Sequence, residues 1–394
     1  MNERAGRLHL ASRMGRIAAF EVMEIQTLAR ALEASGRDVV HLEIGEPDFR
    51  TPAPVVEAAK RALDSQPMNY TSALGLPALR EAIAGFYDAR YGVRLDPARV
   101  VVTAGSSAAL LLAFGVLVDP GEDVLLADPG YPCNRHFAHA LGGVPVLVPV
   151  DAASRYQLTP EIASRAWTPA TRVAMVASPS NPTGTLVRPG EVAELAALCR
   201  ARGAALIADE IYHGLTYGFD ARTALEAGED VFVINSFSKY FQMTGWRLGW
   251  LVAPASHVRE VEKLAQNLFI SPSTLAQHAA LAAFRPETIA ILEARRRELG
   301  ERRDYLVPAL EQLGFRVPAR PEGAFYIYAD CSALADDSFA FAREALSKAG
   351  VAITPGRDFG IHAPQRHVRI AYTQPIARLE EAVARLRAFV EAGG

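Results

Sequence analysis

Seven short runs rich in Val, Ile, Leu and Ala recur between residues 99 and 254, each apolar at nearly every position rather than at every second one. They are "RVVVTAG" (99–105), "DVLLADPG" (123–130), "VPVLVPV" (144–150), "RVAMVASP" (172–179), "AALIADE" (204–210), "VFVINS" (231–236) and "RLGWLVAP" (247–254). Between most of them apolar residues fall at helical spacing, as in "EVAELAALCRARG", which Gly203 closes. Strands that are apolar on both faces and separated by helices predict a doubly wound, mostly parallel sheet of about seven strands. The polar residues collect at the carboxyl ends of five runs: "TAGSS", "DPGYP", "SPSNPTG", "DEIYHG" and "SFSK". Ligands bind at that edge of such sheets, so the five loops predict one site.

Beyond residue 280 the pattern changes. The stretch "LAAFRPETIAILEARRRELGERRDYLVPALEQLG" reads as a long charged helix, followed by shorter strands at 323–330, 351–356 and 367–373 and a closing helix. The expected organisation is a large domain over residues 46–290 and a smaller α+β domain made from 1–45 and 291–394. No internal repeat, low-complexity tract or flexible linker interrupts it.

The chain has 394 residues and a net charge of −3, with no basic excess to attract nucleic acid. Cys133, Cys199 and Cys331 lie far apart, which predicts a reducing compartment without a disulfide framework. The N-terminus has no apolar signal core, and the longest apolar run, 108–118, suits a buried helix better than a membrane span. A cytoplasmic protein is expected. The histidines form no metal-like cluster, and neither a P-loop nor GxGxxG is present.

Three residues raise chemical questions. Lys239 sits among Phe237, Tyr240, Phe241 and Trp246, where an ammonium is costly and tends to lose its proton, becoming a nucleophile. The ordinary alternative is a surface lysine snorkelling from a loop. Asp209 closes the strand "ALIAD" and needs a positive partner if buried; otherwise it caps the next helix. Arg369, inside the apolar strand "HVRIA", needs an anion if it faces inward and none if it lies on a solvated edge.

"LEIGEPDF", "SPSNPTG", "DEIY", "SFSKxxxxxGWRLGW" and "VRIAY" occur in this order, from Gly45 to Arg369. Together they resemble the class I/II aminotransferases, fold-type I enzymes that use pyridoxal 5'-phosphate (PLP). The resemblance implies that Lys239 forms the Schiff base with the cofactor aldehyde and then moves the Cα proton. It implies Asp209 against the pyridine nitrogen, and Asn181 with Tyr212 on the ring oxygen. Tyr131 would stack on the ring. Gly105, Ser106, Ser107, Ser236 and Arg247 would hold the phosphate, joined by Tyr70 from a neighbouring subunit of a homodimer. Arg369 would bind the substrate α-carboxylate, with Gly45 and Asn181 nearby. Read without the resemblance, Asn181-Pro182 and "PGYP" are turns, Gly105–Ser107 is a plain helix cap, and Tyr212 is a core aromatic.

The implied activity is ping-pong amino transfer from a neutral or aromatic amino acid to a 2-oxo acid such as 2-oxoglutarate. Some relatives that use aspartate carry a lysine at the position of Ser107, which lowers the expectation of an aspartate aminotransferase. Arg13, Arg16, Ile17 and Phe20 are candidates for the substrate pocket. A β-lyase on the same fold is the competing chemistry, because fold alone does not settle reaction. A PLP-binding DNA regulator would need a winged helix before "GEPDF", and a dehydrogenase would need a dinucleotide fingerprint.

Overall fold

The computed structural model describes residues 8–393. The ends of the expected smaller domain, 1–7 and 394, lie outside the described residues.

All seven runs of the central region form strands of one sheet. In chain order with the N-terminal strand they are β1 (Val40–His41), β2 (Val100–Thr103), β3 (Asp123–Asp128), β4 (Val144–Pro149), β5 (Thr171–Ala177), β6 (Ala205–Asp209), β7 (Phe232–Ser236) and β8 (Gly249–Val252). The seven-stranded order is β2-β8-β7-β6-β5-β3-β4. Only β8 opposes its neighbours; the remaining strands share one direction. Successive residues bury into opposite layers, which explains the unbroken apolar runs. Val101, Ile207, Phe232 and Leu251 join one core, while Val102, Leu206, Val233 and Trp250 join the other. The apolar stretch after β2 becomes the helix Gly105–Leu117, which buries Leu110, Leu112 and Phe114 against the first of these cores.

The C-terminal region differs in detail from its sequence pattern. The long helix begins at Pro286, not before it, and runs to Gln312, because the proline holds the preceding Arg285 in extended backbone and itself suits the first helical position. It crosses the 290/291 boundary expected from the sequence. Strand β9 is confined to Tyr326–Asp330. The run 351–356 is not one strand but two, β10 (Val351–Ala352) and β11 (Thr354–Pro355), each paired in a different sheet. β10 pairs with β1, tying the N-terminal segment to the C-terminal region. β11 and β9 flank β12 (His367–Ala371) in an antiparallel sheet. Among the described residues no helix is long and apolar enough to cross a membrane, and all three cysteines are free.

Candidate active site

The loops after β2, β3, β5, β6 and β7 meet β9, β12 and the helix Glu21–Ala34 around one cavity of about 270 Å³. Into it the structure brings Gly45, Ser106, Ser107, Tyr131, Asn181, Asp209, Tyr212, Lys239, Arg247 and Arg369.

Lys239 follows β7 and is partly buried, its Nζ donating to the carbonyl of Gly45 at 2.6 Å. The rings of Tyr212 and Phe325 lie 5.7 and 5.8 Å from that nitrogen. Burial is the main cause that brings its pKa down to about 8, with Arg369 adding to the effect and Glu46 opposing it. The amine therefore gives up its proton far more readily than a surface lysine, as a nucleophile and proton carrier must.

Asp209 ends β6 and is 4% exposed. Among the described residues its carboxylate takes one hydrogen bond, from the Ile211 N–H at 3.1 Å. Burial pushes its pKa up to about 7, against the pull of that N–H and of Lys239. It forms no salt bridge among the described residues and lacks a cationic partner at contact distance. Tyr212, also buried, shares a 3.0 Å hydroxyl–hydroxyl hydrogen bond with Tyr326.

Arg369 is 6% exposed and has no carboxylate partner among the described residues. It donates to the Glu43 carbonyl at 2.6 Å, to Asn181 Oδ1 at 3.1 Å and to the Thr354 hydroxyl at 3.3 Å, while its Nε is buried without a partner. Its guanidinium lies over the rings of Tyr326 and Phe359, at 4.3 and 4.9 Å. A buried guanidinium held only by neutral acceptors and π-faces is a receptor for an anion.

The helix Gly105–Leu117 opens on the cavity with Ser106 and Ser107. Gly105 has φ +78°, and a Cβ there would stand 2.6 Å from Arg247 Nη2. A Cβ on Gly249 would meet the Gly105–Ser106 peptide at 2.9 Å. Gly105 thus lets Arg247 approach the helix N-terminus and Gly249 lets β8 pack against it, which makes a cradle for a phosphate.

Three sequence candidates stand elsewhere. Gly105 shapes the cradle from beneath without lining the cavity. Ser236 is buried behind it, its hydroxyl donating to Leu248 O at 3.3 Å and accepting from the Ser238 N–H at 3.0 Å. Ser238 lines the cavity instead, with its Oγ 3.5 Å from Arg247 Nη1. Tyr70 is 81% exposed and outside this chain's cavity. Of the N-terminal candidates, Phe20 lines the cavity; Arg13, Arg16 and Ile17 do not, and Arg13 donates to Ala140 O on the surface at 2.9 Å. Tyr326, Ser238, Phe359 and Asp358 were not singled out from sequence. Tyr326 could be found only through strand register: Tyr328 pairs with Arg369 across β9 and β12, which puts Tyr326 diagonally beside the arginine on the same face.

A nucleophilic lysine, a buried carboxylate without a cation, a phosphate cradle and an anion receptor around one doubly wound sheet edge are what a fold-type I PLP enzyme requires. The groups left without partners fit the cofactor: its pyridinium suits Asp209 and its phosphate suits the cradle. The chain belongs to the aminotransferase class I and II family, whose model matches residues 37–386, and is a PLP-dependent aminotransferase. It is 41% identical to the valine–pyruvate aminotransferase of Mycobacterium tuberculosis, over 94% of this chain and 96% of that one. It is 34% identical to the aspartate aminotransferase of Geobacillus stearothermophilus, over 98% of this chain and 100% of that one. A crystal structure of an aminotransferase from Mycobacterium tuberculosis superposes with a TM-score of 0.95 at 40% identity, covering 98% of this chain and 100% of that one.

Proposed function

We propose that the enzyme moves the amino group of a neutral, apolar or aromatic amino acid to a 2-oxo acid such as 2-oxoglutarate, in two half-reactions of a ping-pong cycle. The observation that carries this reading is Arg369, a buried guanidinium without an acidic partner among the described residues, in the same cavity as Lys239. It takes the α-carboxylate, which both the amino acid and the 2-oxo acid possess. The cavity lining supports a neutral donor. Phe20, Val22 and Met23 line it, Ser107 is uncharged, and the lining cations among the described residues are Lys239, Arg247 and Arg369. That one relative is named a valine–pyruvate aminotransferase supports the same choice.

PLP, when bound, supplies a ring that accepts the electron pair released at the substrate Cα and keeps the amino group between half-reactions. Lys239 holds and moves the Cα proton, its pKa of about 8 placing it within reach of both states near neutral pH. Asp209 is assigned to the pyridinium, whose positive charge would hold it ionised. Asn181 and Tyr212 are assigned to the ring oxygen, Tyr131 to the ring face, and Ser106, Ser107, Arg247 and, in place of Ser236, Ser238 to the phosphate. Asn181 uses its oxygen on Arg369, which leaves its NH2 group free to donate. Gly45 holds the Lys239 amine through its carbonyl. A homodimer, with Tyr70 reaching the partner's phosphate site, completes the assignment. Residues 46–290 act as the cofactor domain, and 1–45 with 291–394 as the substrate-side domain. Its three free cysteines support a cytoplasmic location.

The test is the visible spectrum of the purified enzyme during titration with single amino acids, then with 2-oxoglutarate. Neutral donors are expected to bleach the band and the oxo acid to restore it. A strong preference for aspartate would remove the donor assignment, and accumulation of ammonia with pyruvate would make the enzyme a β-lyase.

A further inference from the structure

The helix Glu21–Ala34 starts without a cap of its own, since Phe20 at the N-cap position offers no acceptor. Its first N–H groups donate instead to one carboxylate far along the chain. Glu21 N–H reaches Asp358 Oδ1 at 2.7 Å, and Val22 N–H reaches Oδ2 at 2.9 Å. A helix start has unpaired N–H groups and a partial positive charge, so a carboxylate placed there is held by hydrogen bonds and by the dipole together. Asp358 is 3% exposed, and its backbone carbonyl accepts from Arg135 of the helix Pro132–Leu141 at 3.0 Å. Burial raises the pKa of its carboxyl, while the two N–H groups, Arg369 and Arg135 oppose the rise. The residue therefore joins the N-terminal helix to a helix of the large sheet. The next residue, Phe359, stacks on Arg369. The turn that Asp358 caps is the one that carries Phe20, Val22 and Met23 into the cavity wall.

We infer that Asp358 is a positioning residue that fixes the first turn of this helix as the apolar wall of the substrate cavity, and thereby sets discrimination among amino donors by side-chain size. The inference rests on the aminotransferase activity and goes beyond the preference proposed above. A wall contributes to binding only while it stays in place and excludes water; once loosened it no longer favours bulk. Alanine reaches little of that wall, whereas leucine and phenylalanine cover more of it.

The experiment compares the holoenzyme with Asp358→Ala and with Glu21→Pro. Proline is accepted at the first helical position and removes one clamp hydrogen bond from the other side. In Asp358→Ala the ratio of kcat/KM for leucine to that for alanine is expected to fall about tenfold, the scale of one or two lost apolar contacts. The cofactor band should persist, and amide exchange should quicken across residues 20–28 but not in the sheet. Glu21→Pro should give part of the same shift, and Glu21→Ala, which keeps the N–H, less. If Asp358→Ala does not fold, Glu21→Pro decides alone. Equal losses for every donor, or an unchanged ratio, would overturn the inference. If the wild type turns over neither donor well, the donor assignment fails separately. The clamp is then read from competitive inhibition by propanoate against 4-methylpentanoate, where an unchanged ratio of inhibition constants rejects it.

Discussion

At the residue scale, one proton on Lys239 and one on Asp209 are set mainly by burial, with their mutual attraction opposing it. Arg369 differs, because arginine keeps its charge and must wait for an anion. Arg369→Ala is expected to raise KM for all amino-acid donors about a hundredfold or more, the scale for truncating one partner of a buried charge pair. The cofactor spectrum should barely change; loss of the cofactor would show that Arg369 is misassigned. Asp209 gives a pH prediction. Its carboxyl titrates near 7 in the folded protein and at its ordinary 3.8 when unfolded, so the native state binds the extra proton between those values. Stability of the cofactor-free protein then falls as pH rises through that window, by on the order of 2–4 kcal/mol from this residue. Asp209→Asn should flatten that part of the curve in denaturant unfolding. Parallel curves for both proteins would remove the assignment. Glu210, raised to about 8 by burial, slopes the same way and is present in both.

At the element scale, the start of the helix Gly105–Leu117 depends on two glycines, Gly105 against Arg247 and Gly249 against the Gly105–Ser106 peptide. Gly105→Ala would force a left-handed φ on a side chain and drive its Cβ into Arg247. About 1 kcal/mol or more of strain is expected, with the cost concentrated on phosphate binding. Equilibrium titration of the cofactor-free enzyme should show weaker PLP affinity with little loss of secondary structure; unchanged affinity would mean the cradle does not hold the phosphate. The strands of this region were legible because burial on both faces leaves an unmistakable apolar run. The segment 351–356 was not, because a two-residue strand has no period, and its split depends on which neighbour each half meets.

For the whole molecule, Tyr70 at 81% exposed is accompanied by Met68, Leu268 and Ile270, all exposed. The two segments are nevertheless tied to one another: Thr274 donates to Asn69 O at 2.7 Å, and Gln277 Nε2 to Thr71 Oγ1 at 3.0 Å. Apolar groups kept in water on segments tied in this way fit a covered surface. Sedimentation is expected to show a dimer, and Tyr70→Ala to weaken PLP binding while the dimer persists. A monomer that binds the cofactor at full affinity would refute the shared site.

The sequence by itself determined the seven strands, the edge on which their polar ends gather, and the chemical demands of Lys239, Asp209 and Arg369. Those follow from local pattern and from the desolvation of charge, which need no coordinates. Only the tertiary structure decided that Ser238 rather than Ser236 faces the cavity, that Tyr326 joins Tyr212 to Arg369, and that Asp358 caps a helix more than three hundred residues earlier. Each is a contact between segments distant along the chain, set by strand register and packing, and no periodicity in either segment encodes its partner.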